Sequence, residues 1–343
     1  MPLPIAIYFE HPDWFRPLFA ELDRRGTPYV ALDAARHRYD PSEAPPYSLL
    51  FNRMSPSAYL RGHGNGIFYT HAFLAHAERA GVRVVNGTEA YTAETSKGLQ
   101  LSILDGLGLP YPKSRVINHA SQAVEATEGL RFPIAVKPNV GGSGAGVRRF
   151  DSVETLRAAV EAGEIDLGID STALVQEFIL ADEGRIARVE TLGGQYLYGI
   201  RIYTDGTQFD LCPADVCQRV DGAELERLAC AVDAPKNGLR VEGFDTPAEV
   251  RQDVERIVAA CGIDVGGVEY MVDRRDGQRY YYDVNALSNF VADAPRVVGF
   301  DPFARLVDYL EREAGFAPHA SGTSEGDGAA HGAAVEATQT VGT

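Results

Sequence analysis

Short unbroken apolar runs alternate with helix-spaced apolar positions along the first quarter of the chain. Residues 4–9 (Pro-Ile-Ala-Ile-Tyr-Phe) read as a buried strand. Asp13 stands where a helix N-cap would. Trp14, Phe15, Leu18, Phe19 and Leu22 then share one helical face, and Gly26 ends it. Runs at 28–32 and 48–51 predict two more strands, a helix is expected near 71–80, and 82–85 predicts a fourth strand. Asn86-Gly87 marks a boundary, so residues 1–87 are expected to form a small α/β domain.

From Thr88 the pattern changes. Ser96-Lys97 precedes a helix over 98–105, a strand surrounds Val116, and a short helix is expected near Ala120. Asp151 and Glu154 have capping-box spacing ahead of a helix that runs to Gly163. Strands follow at 174–179, 186–192 and 195–203, the last two joined through Gly193-Gly194. A helix over 249–260 precedes strands at 267–273 and 278–285, joined through Asp276-Gly277. Asp301-Pro302 opens a last helix carrying Phe303, Leu306, Val307 and Leu310. Beyond Gly315 the composition falls to Gly, Ala, Ser and Thr, which cannot bury enough apolar surface to offset ordering entropy, so residues 315–343 are expected to be disordered.

The most informative stretch is Phe132–Phe150. A strand-like run ends in Lys137, and a turn containing Gly141, Gly142, Ser143, Gly144 and Gly146 leads into a second strand. Glycines let backbone N–H groups approach a ligand closely, and such a turn makes an anion-binding concavity. Lys137 adds charge beside it, so the stretch reads as a lid over nucleotide phosphates; an ordinary glycine-rich hairpin loop is the alternative. The lysine precedes the glycines, unlike in a P-loop, and the G-x-G-x-G spacing is not a dinucleotide fingerprint.

Asp283 and Asn285 alternate along one strand and so share a face, and Glu269 on the preceding strand can face them. Two carboxylates and an amide oxygen suit Mg²⁺, the alternative being solvated strand ends. Glu177, Phe178 and Ile179 end a strand with one polar group beside two large apolar ones, which suits an adenine or a plain core strand. Arg53 lies just past the third strand, where open α/β sheets bind ligands; it is a candidate substrate contact or a surface-paired arginine.

Composition narrows the classes. The 343 residues, 45% hydrophobic and 23% charged, suit two or three globular domains. A formal net charge of −16 argues against nucleic-acid and anionic-membrane partners. No run reaches membrane-spanning length, no secretory signal is expected at the N-terminus, and the four cysteines read as reduced thiols, so a cytoplasmic location is expected. Cys212 and Cys217 have poor zinc spacing, and the histidines share none.

In this order, Ser96-Lys97, the Lys137 glycine hairpin, Val175–Ile179, Arg188 and Arg201, and Glu269 with Asp283-Val-Asn285 resemble the ATP-grasp superfamily. The resemblance runs from about Val84 to Glu313 and is strongest to the carboxylate–amine ligase branch that includes D-alanine–D-alanine ligase and the glutamate ligases. It implies a mixed α/β and α+β architecture: an N-terminal pre-ATP-grasp domain, then an ATP-grasp domain over 88–314. Lobe A (about 88–179) and lobe B (about 180–314) would enclose ATP.

On that resemblance Lys97 and Lys137 contact the phosphates and Gly141–Gly146 form the lid. Glu177 and Phe178 meet the adenine, with Ile179 packed on the ring. Arg188 and Arg201 neutralise the γ-phosphate and a developing acyl phosphate. Glu269, Asp283 and Asn285 hold Mg²⁺, with Mn²⁺ as the substitute. Ser288 and Asn289 become substrate contacts beside Arg53. The substrates would be a small-molecule or peptide carboxylate and an amine, joined by an ATP-dependent ligase through an acyl phosphate; homodimers are common in the superfamily, but the sequence does not give the oligomeric state.

The chain also departs from the pattern. Glu269 and Asp283 exchange the usual Asp and Glu, Ile186 replaces the acid of Asp-x-Arg, and Asn285-Ala-Leu-Ser-Asn-Phe290 replaces Asn-x-Ser-Pro-Gly. A small-molecule kinase and a non-catalytic nucleotide-binding regulator use the same parts and are the alternatives.

Overall fold

In the computed structural model, residues 3–142, 144–203 and 240–317 are described. Ser143, Cys212, Cys217, most of the 205–245 insert and most of the 315–343 tail lie outside them. Three sheets cover three successive stretches of chain.

The first stretch holds β1 (Ile5–Phe9), α1 (Arg16–Arg25), β2 (Tyr29–Asp33), β3 (Leu49–Arg53), α2 (Gly64–Arg79) and β4 (Arg83–Val85). Its sheet is parallel in the order β2-β1-β3-β4, so the strand order reverses between β1 and β3. A 3-10 turn over Pro12–Phe15 precedes α1, so Asp13 lies inside that turn and is not the helix cap. Gly26 ends α1 in the left-handed region, φ 69°, where its N–H donates to the carbonyl of Asp23. The helix α2 begins at Gly64, about two turns earlier than the apolar spacing suggested. Two glycines hide its start, and a Cβ on Gly66 would meet the Met54 side chain at 2.8 Å.

Next come α3 (Thr88–Glu94) and α4 (Lys97–Gly106). Ser96 caps α4, its hydroxyl accepting from the Leu99 N–H, which puts Lys97 on the first helical residue. The second sheet consists of β5 (Ser114–Ile117), β6 (Ile134–Pro138), β7 (Arg148–Phe150) and β8 (Ala173–Glu177), in the order β5-β8-β6-β7. Between β7 and β8, α5 (Val153–Glu161) is capped by Ser152 with Thr155. The capping box therefore lies one residue beyond the Asp151–Glu154 pair.

The third sheet takes β9 (Arg185–Leu192), β10 (Gln195–Tyr203), β11 (Arg240–Phe244), β12 (Val265–Val272) and β13 (Arg279–Asn285), in the order β11-β10-β9-β12-β13. The amphipathic helix α6 (Ala248–Ala260) covers one face through Val250, Val254, Ile257 and Val258, against Ala187, Val189, Val268 and Tyr270. Two helices close the described chain: α7 (Ala294–Val298), then α8 (Pro302–Glu313), capped by Asp301 as expected. Leu306, Val307 and Leu310 of α8 pack with Ile5, Ile7, Leu18 and Leu49, tying the last helix to the first sheet.

Candidate functional site

The second and third sheets face each other across a cleft. Lys97, Lys137, Pro138, Gly141, Gly142 and Gly144 line it from one side; Ile186, Arg188, Glu269, Met271, Tyr282, Asp283 and Asn285 line it from the other. Gln176, Glu177, Phe178 and Ile179 line it along the connection from β8.

The face of the third sheet is ordered in rows. Arg188, Glu269 and Asp283 stand side by side on β9, β12 and β13, and two residues along Glu190, Gly267 and Asn285 do the same. A bulge puts Asp283 there. Near the turn Tyr270 pairs with Tyr281, but Glu269 pairs with Asp283, so Tyr282 is the extra residue. Its hydroxyl donates to Glu269 Oε2 at 2.6 Å, while Arg188 donates to Glu269 Oε1 at 2.9 Å and to Glu190 Oε1 at 2.6 Å. Lys97 reaches over from α4 and its ammonium donates to Asp283 Oδ1.

These charges share little water, so each sets the others' protonation. Burial opposes ionisation of Asp283, but Lys97 and Lys137 outweigh it and hold the carboxyl below its usual value. Glu269 is raised by burial and by Asp283, against the pull of Arg188. Lys137 has no carboxylate in hydrogen-bond contact; burial, then Lys97, pull its pKa down to about 7. A buried ammonium depressed this far is a cation short of an anion.

The donor set fits a magnesium ion. Glu269 and Asp283 are adjacent carboxylates and Asn285 adds an amide oxygen from the next row, which is the one-or-two-carboxylate arrangement that leaves remaining positions to phosphate and water. Among the described residues no group of three or more His, Cys, Asp or Glu side chains could hold a metal.

The other sequence candidates divide. Gly144 adopts φ 72°, open to glycine at little cost, and Gly141 and Gly142 pack beside Tyr59 and Ser57 of the first stretch. Phe178 and Ile179 are buried in the cleft wall. Glu177 also lines the cleft, but its carboxylate accepts from the Arg131 N–H at 2.9 Å and pairs with the Arg131 guanidinium at 3.5 Å. The side-chain acceptor expected for adenine is thus already engaged. Arg53, Ser288 and Asn289 come together. Arg53 ends β3, stacks near Phe15 and Phe51, and donates to the Ser288 carbonyl and to Asn289 Oδ1 at 3.2 Å. It is 2% exposed, so the surface-paired alternative falls.

Arg201 is a correction. A bulge at Leu197 shifts the β9–β10 pairing, so Arg201 lies opposite Ala187 and Arg188 opposite Ile200. Arg201 therefore points to the face away from Arg188. It sits over the Phe244 ring at 4.4 Å and does not line the cleft.

Three site residues were not anticipated. Glu190 lies two residues beyond Arg188, so strand period alone carried the signal. Tyr282 is the bulge residue, for which nothing in the apolar pattern signals. Glu94 ends α3, accepts from the Ala286 N–H at the start of the loop that follows β13 (residues 286–290, the closing loop), and is pushed up to about 7 by burial.

A family model described as the D-ala D-ala ligase C-terminus matches residues 103–212. The D-alanine–D-alanine ligase of Ectopseudomonas mendocina is 28% identical over 206 residues, 59% of each chain, so this chain spans about 59% of that curated relative's length. Two solved structures share the fold. The ATP-grasp ligase PsnB, complexed with a phosphomimetic precursor variant, Mg and ADP, aligns with a TM-score of 0.62 at 19% identity, over 92% of this chain and 100% of the other. D-alanyl-alanine synthetase A from Vibrio cholerae aligns with a TM-score of 0.64 at 12% identity, over 92% and 99%. The chain has the ATP-grasp fold, and its likenesses lie in the carboxylate–amine ligase branch of that superfamily. Among the described residues no helix is long and apolar enough to cross a membrane.

Proposed function

We propose that this protein is an ATP-dependent carboxylate–amine ligase. One observation carries the reading. A buried, anion-deficient Lys137 and the Lys97 ammonium, itself in contact with Asp283, line one cleft with the Glu269–Asp283 pair and a glycine turn. A triphosphate with its divalent cation completes both halves, its oxygens taking the lysine donors and its cation the carboxylates. Relatives of similar sequence carry the name of a ligase, and a PsnB structure of the same fold holds Mg and ADP.

On this reading residues 1–87 and the closing loop form the substrate end, residues 88–179 and 180–314 grip the nucleotide, and Phe178 and Ile179 pack the adenine. Lys97, Lys137 and the turn N–H groups orient the terminal phosphate and offset its charge. Glu269, Asp283 and Asn285 would hold Mg²⁺, which when bound supplies further neutralisation of phosphate charge. Arg188, kept in place by Glu190 and Glu269, presents its guanidinium to the oxygens of the transferring group. A substrate carboxylate oxygen attacks the γ-phosphorus and ADP leaves. An amine then attacks the acyl carbon, phosphate leaves, and an amide remains. Each step relies on positioning and fixed charge, with no side-chain nucleophile.

The test is ADP release with ATP and Mg²⁺ across a panel of carboxylates, with hydroxylamine present to trap an activated acyl group. Carboxylate-dependent ADP together with hydroxamate is the expected result. ADP with a stable phosphoester would replace the ligase by a kinase, and no carboxylate-dependent ADP would overturn the reading.

A further inference from the structure

We propose that Glu190 is a specificity residue, selecting a protonated amine on the same small ligand whose anionic group Arg53 receives. The proposal deepens the ligase reading and rests on it for the position of the substrate beyond the phosphates.

The observation is a mismatch between opposite charges. Glu190 is fully buried and only one of its oxygens is used: Oε1 accepts from Arg188, and Oε2 has no hydrogen-bond partner. Arg53 is 2% exposed, and its Nη1 has no partner although Nη2 donates twice. Asn285 Nδ2 is also buried without a partner. An unfilled buried donor or acceptor is costly, and more so on a charged group. A carboxylate and a guanidinium that merely stabilised the fold would be expected to pair with each other. No such ion pair forms, though each lies within the other's field.

Their places are set by the backbone. Glu190 shares its row with Gly267 and Asn285, one row beyond Glu269 and Asp283 and away from the cleft lining at Ile186 and Met271. Gly267 has to be small: a Cβ there would lie 2.8 Å from Glu190 Oε2. Arg53 ends the central strand of the first sheet, where the strand order reverses, and holds the loop that follows Asn285. Glu190 and Asn285 thus share one row beyond the acidic pair, and Arg53 holds the loop that continues from Asn285. A water molecule can accept from Arg53 and donate to Glu190, but it brings no charge to either; a small zwitterion sets an opposite charge against each. The other charged groups nearby are Glu94, which faces Arg53, and Arg188.

The experiment uses the full chain, with Mg²⁺ and a non-hydrolysable ATP analogue. Calorimetry compares L- and D-alanine with propionate, L- and D-glutamate with glutarate, and alanine with alaninamide. The wild type is expected to prefer at least one amino acid to its deaminated partner by about tenfold or more, in line with a charge-assisted hydrogen bond. Glu190→Gln should erase most of that preference and Glu190→Asp should keep part of it, while Arg53→Lys should weaken alanine far more than alaninamide. Equal losses for amino acid and deaminated partner in Glu190→Gln would reduce Glu190 to a support for Arg188 and overturn the proposal, as would a panel in which no amino acid binds. ADP release run in parallel separates the two readings. Glu190-dependent binding without ADP or hydroxamate would remove the ligase and leave the pocket. Ligase turnover with substrates that carry no amine on the carboxylate component would do the reverse.

Discussion

Two hairpins of the same sheet, β9–β10 and β12–β13, each carry a one-residue bulge, with opposite consequences. Near the β12–β13 turn the paired numbers sum to 551, as in Tyr270 with Tyr281, and beyond the bulge to 552, as in Glu269 with Asp283. Without Tyr282 as the extra residue, Asp283 would point away from Glu269. In β9–β10 the sum passes from 387, as in Thr191 with Tyr196, to 388, as in Glu190 with Tyr198. Without that bulge Arg201 would share the face of Arg188; with it, Arg201 is turned to the α6 side. The same device assembles the acidic pair in one hairpin and removes an arginine from the cleft in the other. Strand period settles which residues of one strand share a face, but only register decides which faces of two strands agree.

The largest expected effect tests the assembled side. Asp283→Asn keeps shape and removes the charge that Lys97 contacts. It should lower ADP release on the order of a thousandfold, in the range of losing a group aimed at developing charge. A loss below tenfold would mean that the bulge aligns Asp283 for structural reasons alone.

Lys137→Met comes next. It should weaken nucleotide binding by at least about a hundredfold in calorimetry, while leaving the ligand-free protein as stable or more so, since a desolvated ammonium is removed. The pH dependence has a definite sign. The folded pKa of about 7 lies below the unfolded value, so between pH 7 and about 10 the unfolded chain holds more protons at this site. Wild-type stability, measured against Lys137→Met by denaturant midpoint, should therefore rise across that window, with the full penalty remaining below it. Nucleotide phosphates should restore the charge, so binding near pH 8 should take up a proton, visible as a buffer-dependent calorimetric heat. No uptake would mean that Lys137 is already charged in the ligand-free cleft.

Tyr282→Phe probes the bulge residue itself. Losing one hydrogen bond to a buried carboxylate should cost about five- to twentyfold, read mainly in the Mg²⁺ concentration needed for half activity. An unchanged requirement would leave Tyr282 as packing.

How much was legible follows from the same contrast. Strand and helix positions were readable because apolar period, glycine stops and caps at Ser96 and Asp301 are local signals; the cap at Ser152 was missed by one residue, and the glycine-containing start of α2 by about two turns. Lys97, Lys137, the glycines, Glu269, Asp283 and Asn285 were readable from their order along the chain, and they do line one cleft. The engagement of Glu177 by Arg131 was not, because its partner lies 46 residues away. Nor was the closeness of Arg53 to Ser288 and Asn289, which joins the first sheet to a loop 235 residues later. Bulges leave no apolar signature, so Arg201 was assigned to the wrong face.

Arg201→Ala carries the smallest expected effect. The guanidinium lies over Phe244 on the face covered by α6, among Tyr270 and the strand pair of Ala187, so its removal should cost packing and a cation–π contact but no phosphate contact. Turnover per folded molecule should stay within about twofold of wild type, with thermal stability slightly lower. Arg188→Ala, assayed alongside, should lose turnover by orders of magnitude. If Arg201→Ala instead matched Arg188→Ala in kinetics while folding normally, the pairing of β10 would have to change when the nucleotide binds, returning to the sum of 387 and bringing Arg201 onto the cleft face. The bulge at Leu197 would then be a movable element rather than a fixed one, and Leu197→Pro, which removes a donor at the shifting position, would be expected to abolish turnover while Arg188 remained in place.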